Sequence, residues 1–423
     1  MVAEVKPRPH LDEIDLMRVV TALAVVGVHV TSFTLLLNLS ALGVNLQNGV
    51  IDALHFTREV FLAITAFVLV YAYANRPLVV GTFWRKRGVA ILLPYLFWSI
   101  VYLFVGAPLL PYKPWLERAI LSILTGTASY QLYYVILTIE FYLVLPVFLP
   151  FVRRVGTRHP WRLLLGSGLL QLAILYIDHA YLETGPLSTT VAGQLFNDVQ
   201  SGFLPLYQFY AVTGAVAALH MDAVRSFVQR RGSLVVAGSL AGLGLFLGRY
   251  ALAVFVEHQN DLYASSVFQP AMVFYSLAAA GFLYWVGVKW ATGRSPGKPW
   301  AQRFWSLLSD ASFGIYLIHP LFISLALTVA VPRLPAVVPV AFKVFAIWGM
   351  AAGLTTLACV VLLYLPGLSR LIGRPSRWRW RGRTPPESRR LAPVEHVSEA
   401  PAELSKVLKA TASTAESKAE LRP

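Results

Sequence analysis

Two ionisable side chains within one apolar run are the first sign of chemistry. In DEIDLMRVVTALAVVGVHVTSFTLLL, residues 12 to 37, Arg18 and His29 stand eleven positions apart. At about 100° per residue, eleven steps make roughly three turns plus 20°, so both share one helical face, about 16 Å apart along the axis. Charged groups inside a membrane span face the bundle interior or a wet cavity, because lipid exposure costs several kcal/mol. A guanidinium grips anions, and a neutral imidazole accepts protons near pH 7. One face can therefore hold an anionic ligand at one level and act as a base at another.

Further polar groups sit in apolar surroundings: Glu140, His319 in SFGIYLIHPLF, and Arg58 with Glu59 at the start of a run. A basic cluster, Arg85, Lys86 and Arg87, precedes another. Each has a bland reading beside the chemical one. Arginine at a helix end anchors topology, a mid-span histidine can lock two helices, and His319 before Pro320 can donate to a carbonyl the proline frees. Asp178, His179 and Glu257, near span ends, read as solvated. There is no metal-ligand spacing, phosphate-cradling glycine loop or GxSxG elbow. The single cysteine, Cys359, permits no internal disulfide and no thiolate cluster.

The elements that position these groups must be membrane helices. Of 423 residues 57% are hydrophobic and only 13% charged, against about a quarter charged in soluble domains. Runs of spanning length fall near 16–37, 57–75, 88–107, 131–152, 162–180, 201–220, 233–256, 267–288, 310–330 and 338–365, about ten in all. The sixth is the weakest because of Gly202 and Pro205. The fold expected is all-α and polytopic.

The net charge of +15 comes from Lys and Arg clustered in alternate loops, which fits topology better than nucleic-acid binding. Basic residues crowd the loops after spans two, four, six and eight, while 38–56, 181–200 and 257–266 hold none. The expected topology puts both termini in the cytoplasm, Arg18, Arg85–Arg87 and Asp310 at the inner end, and Arg58 and Arg249 at the outer end. His29 then lies about 20 Å from the inner face and Glu140 about 14 Å below the outer one. Residues 1–15 form a cytoplasmic segment and 16–365 the membrane domain. The stretch 111–126 reads as an interfacial amphipathic helix. The basic, aromatic stretch 366–390 reads as a cytoplasmic membrane-surface patch, and 391–423 as a disordered tail.

Five motifs in order resemble acyltransferase family 3, the integral-membrane O-acyltransferases. IDLMRVVTALAVVGVH is similar to the family's Arg, ten residues, His pattern. HFTREVFLAITAFVLVY resembles its second span, with Thr65-Ala66-Phe67 where Ser-Gly-Phe is usual. FWRKRGVAILLPYLFWSIVY resembles the basic start and proline of its third. QLYYVILTIEFYLVLP has the Tyr-x-x-x-Pro ending at Tyr142 and Pro146, and SFGIYLIHPLF the late Ser-x-Gly-x-Tyr-x-x-His motif. One departure stands out: where the family often shows Arg-x-x-Arg at the third span, Arg87 is followed by Ala90.

The resemblance implies transfer of an acyl group, commonly acetyl, from cytoplasmic acyl-coenzyme A to a hydroxyl of a sugar, glycolipid or polysaccharide acceptor. It implies a multi-pass enzyme of the plasma or inner membrane with no permanently bound cofactor. On that basis Arg18, Arg85, Lys86 and Arg87 are expected to grip the donor's phosphates. His29 would be the base or acyl carrier, with Glu140 orienting it, and Arg58, Tyr142 and His319 would bind substrate. The rival reading is a transporter or flippase of a lipid-linked sugar, with the same polar core and no chemistry.

Overall fold

The first apolar run forms α1 (Asp12–Phe33), and in the computed structural model it is the most enclosed of the long helices. The structure describes residues 10–38, 40–106, 112–183, 185–259, 264–293 and 299–378. Asp12, Glu13 and Asp15 place negative charge in the first turn of α1, the favourable sign at a helix N-terminus. The chain continues as α2 (Ala41–Leu54), α3 (Thr57–Tyr73), α4 (Val80–Gly106), α5 (Tyr112–Thr125), α6 (Tyr133–Arg158) and α7 (Pro160–Ile177). A π-helical turn, Asp178–Glu183, ends α7. Then follow α8 (Val191–Val199), α9 (Gln208–Leu219), α10 (Met221–Arg230) and α11 (Gly232–Phe255). The last three are α12 (Ala271–Thr292), α13 (Pro299–Ala330) and α14 (Val340–Tyr364). The fold is all-α, with no strand among the described residues.

Nine stretches of described helix are long and apolar enough to cross a membrane. The pair Val191–Gly202 and Leu204–Leu219, bent by 51°, makes a tenth if it counts as one span. The break falls at the weak sixth run: Phe203 is extended (φ −85°, ψ 109°), and Pro205 lacks the N–H that would continue a helix. Residues 38–56, expected as a loop, contain α2, which runs into α3 and lengthens the second span to Ala41–Tyr73.

Helix α1 touches α2, α3, α12, α13 and α14, and several of its polar groups bond within the helix or across those contacts. Thr21 and Thr31 donate to the carbonyls of Met17 and Gly27, each at 2.7 Å. Gln47 of α2 donates to the Thr31 carbonyl at 2.7 Å, Trp348 of α14 to the Leu23 carbonyl at 3.0 Å, and Ser309 of α13 to Asp15 at 2.7 Å. In a bilayer such bonds replace the water a soluble helix would use. Helices α3 and α9 meet backbone to backbone: a Cβ on Gly214 would come within 2.1 Å of the Ala63 carbonyl oxygen.

Beyond α14 the chain folds back. Gly367 turns it at φ +84°, a 3₁₀ turn over Leu368–Ile372 packs against α4, α13 and α14, and Ser369 and Ile372 are buried. Residues 366–378 of the stretch expected to coat the membrane surface are thus applied to the bundle. The remainder of that stretch, 379–390, the tail 391–423 and residues 1–9 lie outside the described residues. Asp178, expected to be solvated, is buried, and Glu257 pairs with Arg249 at 3.2 Å.

Candidate active site

Two cavities sit one above the other on the shared face of α1. One, about 310 Å³, is lined by Arg18 of α1, Arg87, Ala90 and Ile91 of α4, Thr138 and Tyr142 of α6, Ser312 and Phe313 of α13, and Gly373 and Arg374 from the returning segment. The other, about 270 Å³, is lined by Val25, Val28 and His29 of α1, by His55, Thr57 and Arg58, by Gln131 and Tyr133, and by Glu183 and Ser265–Phe268. Phe61, Tyr134 and Tyr316 line both. Their rings touch one another, with centroids 6.0 Å (Phe61–Tyr134), 6.3 Å (Phe61–Tyr316) and 5.6 Å (Tyr134–Tyr316) apart. The two cavities therefore meet at a collar of three aromatic rings, cationic on one side and imidazole-bearing on the other.

The cationic cavity suits an anion. Neither Arg18 nor Arg87 has an ion-pair partner among the described residues, and the Arg87 guanidinium lies 5.9 Å over the Tyr142 ring. On the other side, His29 stacks on His319 with centroids 5.2 Å apart and planes 17° apart, and it packs at 4.4 Å on Tyr130. Arg58 bonds Glu59 at 3.2 Å and lies 5.6 Å over Tyr207 and 5.3 Å over Phe268. A family profile described as an acyltransferase domain matches residues 11–365. The chain belongs to acyltransferase family 3. No curated protein and no solved structure matches it.

The matched region runs from the start of α1 to the end of α14, so the O-acyltransferase is built from the helical bundle that holds both cavities. Of the residues singled out in the sequence, the enzyme brings Arg18, Arg87 and Tyr142 to the cationic cavity and His29 and Arg58 to the other. Tyr142, expected to bind substrate, stands among the arginines. Arg85 and Lys86 are exposed and line neither cavity. Arg85, Lys86 and Arg87 are consecutive on α4, about 100° apart, so only one can face the cavity.

Glu140, expected to orient the imidazole, is turned elsewhere. Its Oε2 accepts the Leu204 N–H at 2.8 Å, a donor left without a helical partner by the break at Phe203, and it lines neither cavity. His319 lies behind His29, fully buried and outside the cavity lining. Its Nδ1 faces the carbonyls of Tyr316 at 2.8 Å and Ile315 at 3.2 Å. The Tyr316 carbonyl is the one that Pro320, four residues on, cannot bond.

Three groups at the cavities escaped the sequence reading. Asp52 and His55, on the helix not expected in 38–56, lie with Oδ1 and Nδ1 3.8 Å apart. Asp52 is fully buried, and neither of its carboxylate oxygens has a hydrogen-bond partner among the described residues. The Asp-x-x-His spacing was the available signal, since i and i+3 share a helical face. Glu183 accepts both Ser266 Oγ, at 2.7 Å, and His179 Nδ1, at 2.8 Å, and the first bond crosses between distant segments. Arg374 came from a stretch with no periodicity to read.

Proposed function

We propose that this acyltransferase moves an acyl group, acetyl in the simplest case, from acyl-coenzyme A to a hydroxyl of a sugar, glycolipid or polysaccharide of the cell envelope. The carrying observation is the pair of cavities meeting at the aromatic collar, three arginines on one side and His29 on the other. The phosphates of coenzyme A match the arginine-lined cavity, which the Lys/Arg pattern of the loops assigns to the cytoplasmic end. A narrow pantetheine arm could pass between Phe61, Tyr134 and Tyr316 and present its thioester at the level of His29. The acceptor then occupies the second cavity, where Arg58, Gln131, Glu183 and Ser266 offer the mixed donors and acceptors that hydroxyl-rich ligands need.

In the chemical step His29 takes the proton of the acceptor hydroxyl as that oxygen attacks the thioester carbonyl. The tetrahedral intermediate expels the coenzyme A thiolate, the C–S bond breaking as the C–O ester bond is completed. The imidazolium returns its proton to the thiolate, leaving an O-acyl ester and free coenzyme A. Stacking on His319 and Tyr130 fixes the His29 ring without blocking its nitrogens.

The test is transfer from radiolabelled acetyl-coenzyme A by purified protein to a panel of envelope sugars and glycolipids. His29→Ala should lower turnover by about 10²- to 10⁴-fold while coenzyme A still binds. Arg87→Ala should weaken that binding. Wild-type turnover by His29→Ala would sink the mechanism, and the absence of coenzyme A binding by the wild type would sink the donor assignment.

A further inference from the structure

The segment after α14 enters the lining of the cationic cavity at Gly373 and Arg374. Trp98 of α4 donates to the Leu371 carbonyl at 2.9 Å, and Ile372 is fully buried. The Arg377 N–H donates to the Leu363 carbonyl at 2.8 Å, while its guanidinium clasps Asp310 of α13, Nε standing 3.0 Å from Oδ2. These ties hold Gly373 and Arg374 beside α4 and α13. Gly373 has φ +72°, and a Cβ there would fall 2.5 Å from the Ala90 carbonyl oxygen and 2.8 Å from the Phe313 ring. Only glycine meets both demands. The segment therefore lies directly upon Ala90, and the next side chain, Arg374, lines the cavity with Arg18 and Arg87.

Charge in this cavity is unbalanced. Arg374 stands 3.6 Å from Asp310, but that carboxylate lies outside the lining and is held more closely by Arg377. Three guanidiniums thus converge with no carboxylate in the lining. Gathering like charges in a partly enclosed space is unfavourable unless a polyanion fills it. Arg87 and Ala90, three residues apart on α4, share the face that looks into the cavity, and alanine contributes no charge there. Arg374, from the far end of the sequence, lines the same cavity, with its neighbour Gly373 packed on Ala90.

We propose that Arg374 is the third arginine of the donor site, binding a phosphate of the nucleotide thioester beside Arg18 and Arg87, and that residues 365–378 form the strap that delivers it over Ala90. This deepens the donor assignment above and rests on it. The strap makes the donor site depend on the chain beyond the last span.

The experiment is equilibrium binding of coenzyme A, free of any acyl group, to the full-length protein in nanodiscs. Arg374→Ala should weaken binding by about tenfold or more with an unchanged melting temperature, and Arg374→Lys by less, because lysine keeps the charge and loses the fork. Arg377→Ala, which unties the strap, should reproduce the loss. Ala90→Arg added to Arg374→Ala should recover affinity, by restoring a third guanidinium to the cavity lining. If Arg374→Ala melts early, that double variant decides: recovered affinity supports the site, and none overturns it. Wild-type affinity in Arg374→Ala alongside weakened binding in Arg87→Ala overturns the role of Arg374 and leaves the donor assignment standing. No binding by the wild type overturns both.

Discussion

His319 carries a fixed tautomer, and the residue that fixes it is Pro320. A carbonyl oxygen only accepts, so the His319 Nδ1 that lies 2.8 Å from the Tyr316 carbonyl bears the hydrogen. Its Nε2 is then a bare lone pair, buried and without a partner among the described residues, in the ring stacked on His29. Pro320→Ala would supply the backbone N–H that the Tyr316 carbonyl lacks and release His319 to either tautomer. We expect kcat to fall about tenfold or more with the donor KM unchanged, since tautomer control acts on chemistry and not on grip. Steady-state kinetics decide it, and an unchanged kcat would make His319 a packing residue only.

The collar predicts a selectivity. Phe61 touches both Tyr134 and Tyr316, so Phe61→Ala opens the junction between the cavities. Water and bulkier acyl groups should then pass. In the absence of acceptor, thiol release from acetyl-coenzyme A should rise relative to wild type, and longer acyl donors should gain on acetyl. Thiol titration across a series of acyl lengths tests this, and an unaltered acyl preference would count against the collar as the passage.

The Asp52–His55 pair predicts an effect confined to the acceptor side. A buried acidic side chain 3.8 Å from an imidazole nitrogen steadies the orientation of that ring. Asp52→Asn and His55→Gln should each raise the acceptor KM or lower kcat while leaving coenzyme A affinity intact. The double variant should be little worse than either single one, because the two act as a unit. Additive losses would show that they act independently.

For Glu140 the prediction separates folding from chemistry. Its carboxylate satisfies the Leu204 N–H at the bend between Gly202 and Leu204. Glu140→Ala should cost about 1 kcal/mol of stability, the net scale of one hydrogen bond, with turnover per folded molecule close to wild type. Thermal melting beside an activity assay measures both. A loss of turnover without a shift in melting would return Glu140 to the catalytic machinery.

What the sequence determined was what depends on neighbours along the chain. Apolar runs of spanning length had to become helices, because backbone groups in lipid can bond only to themselves, and helical periodicity put Arg18 and His29 on one face. The interrupted span was visible in Gly202 and Pro205, and the His319 bond to a proline-freed carbonyl in the adjacent Pro320. The tertiary structure decided what each face meets. Helix rotation and register come from packing against other helices, so Glu140 could be turned to Leu204 and Arg87 chosen over Arg85 and Lys86 only there. The same holds for His29 against His319 and for Gly373 over Ala90, pairs that lie hundreds of residues apart in sequence. The face of α1 could be read from its own residues; the two cavities it borders, and the collar between them, required the other helices.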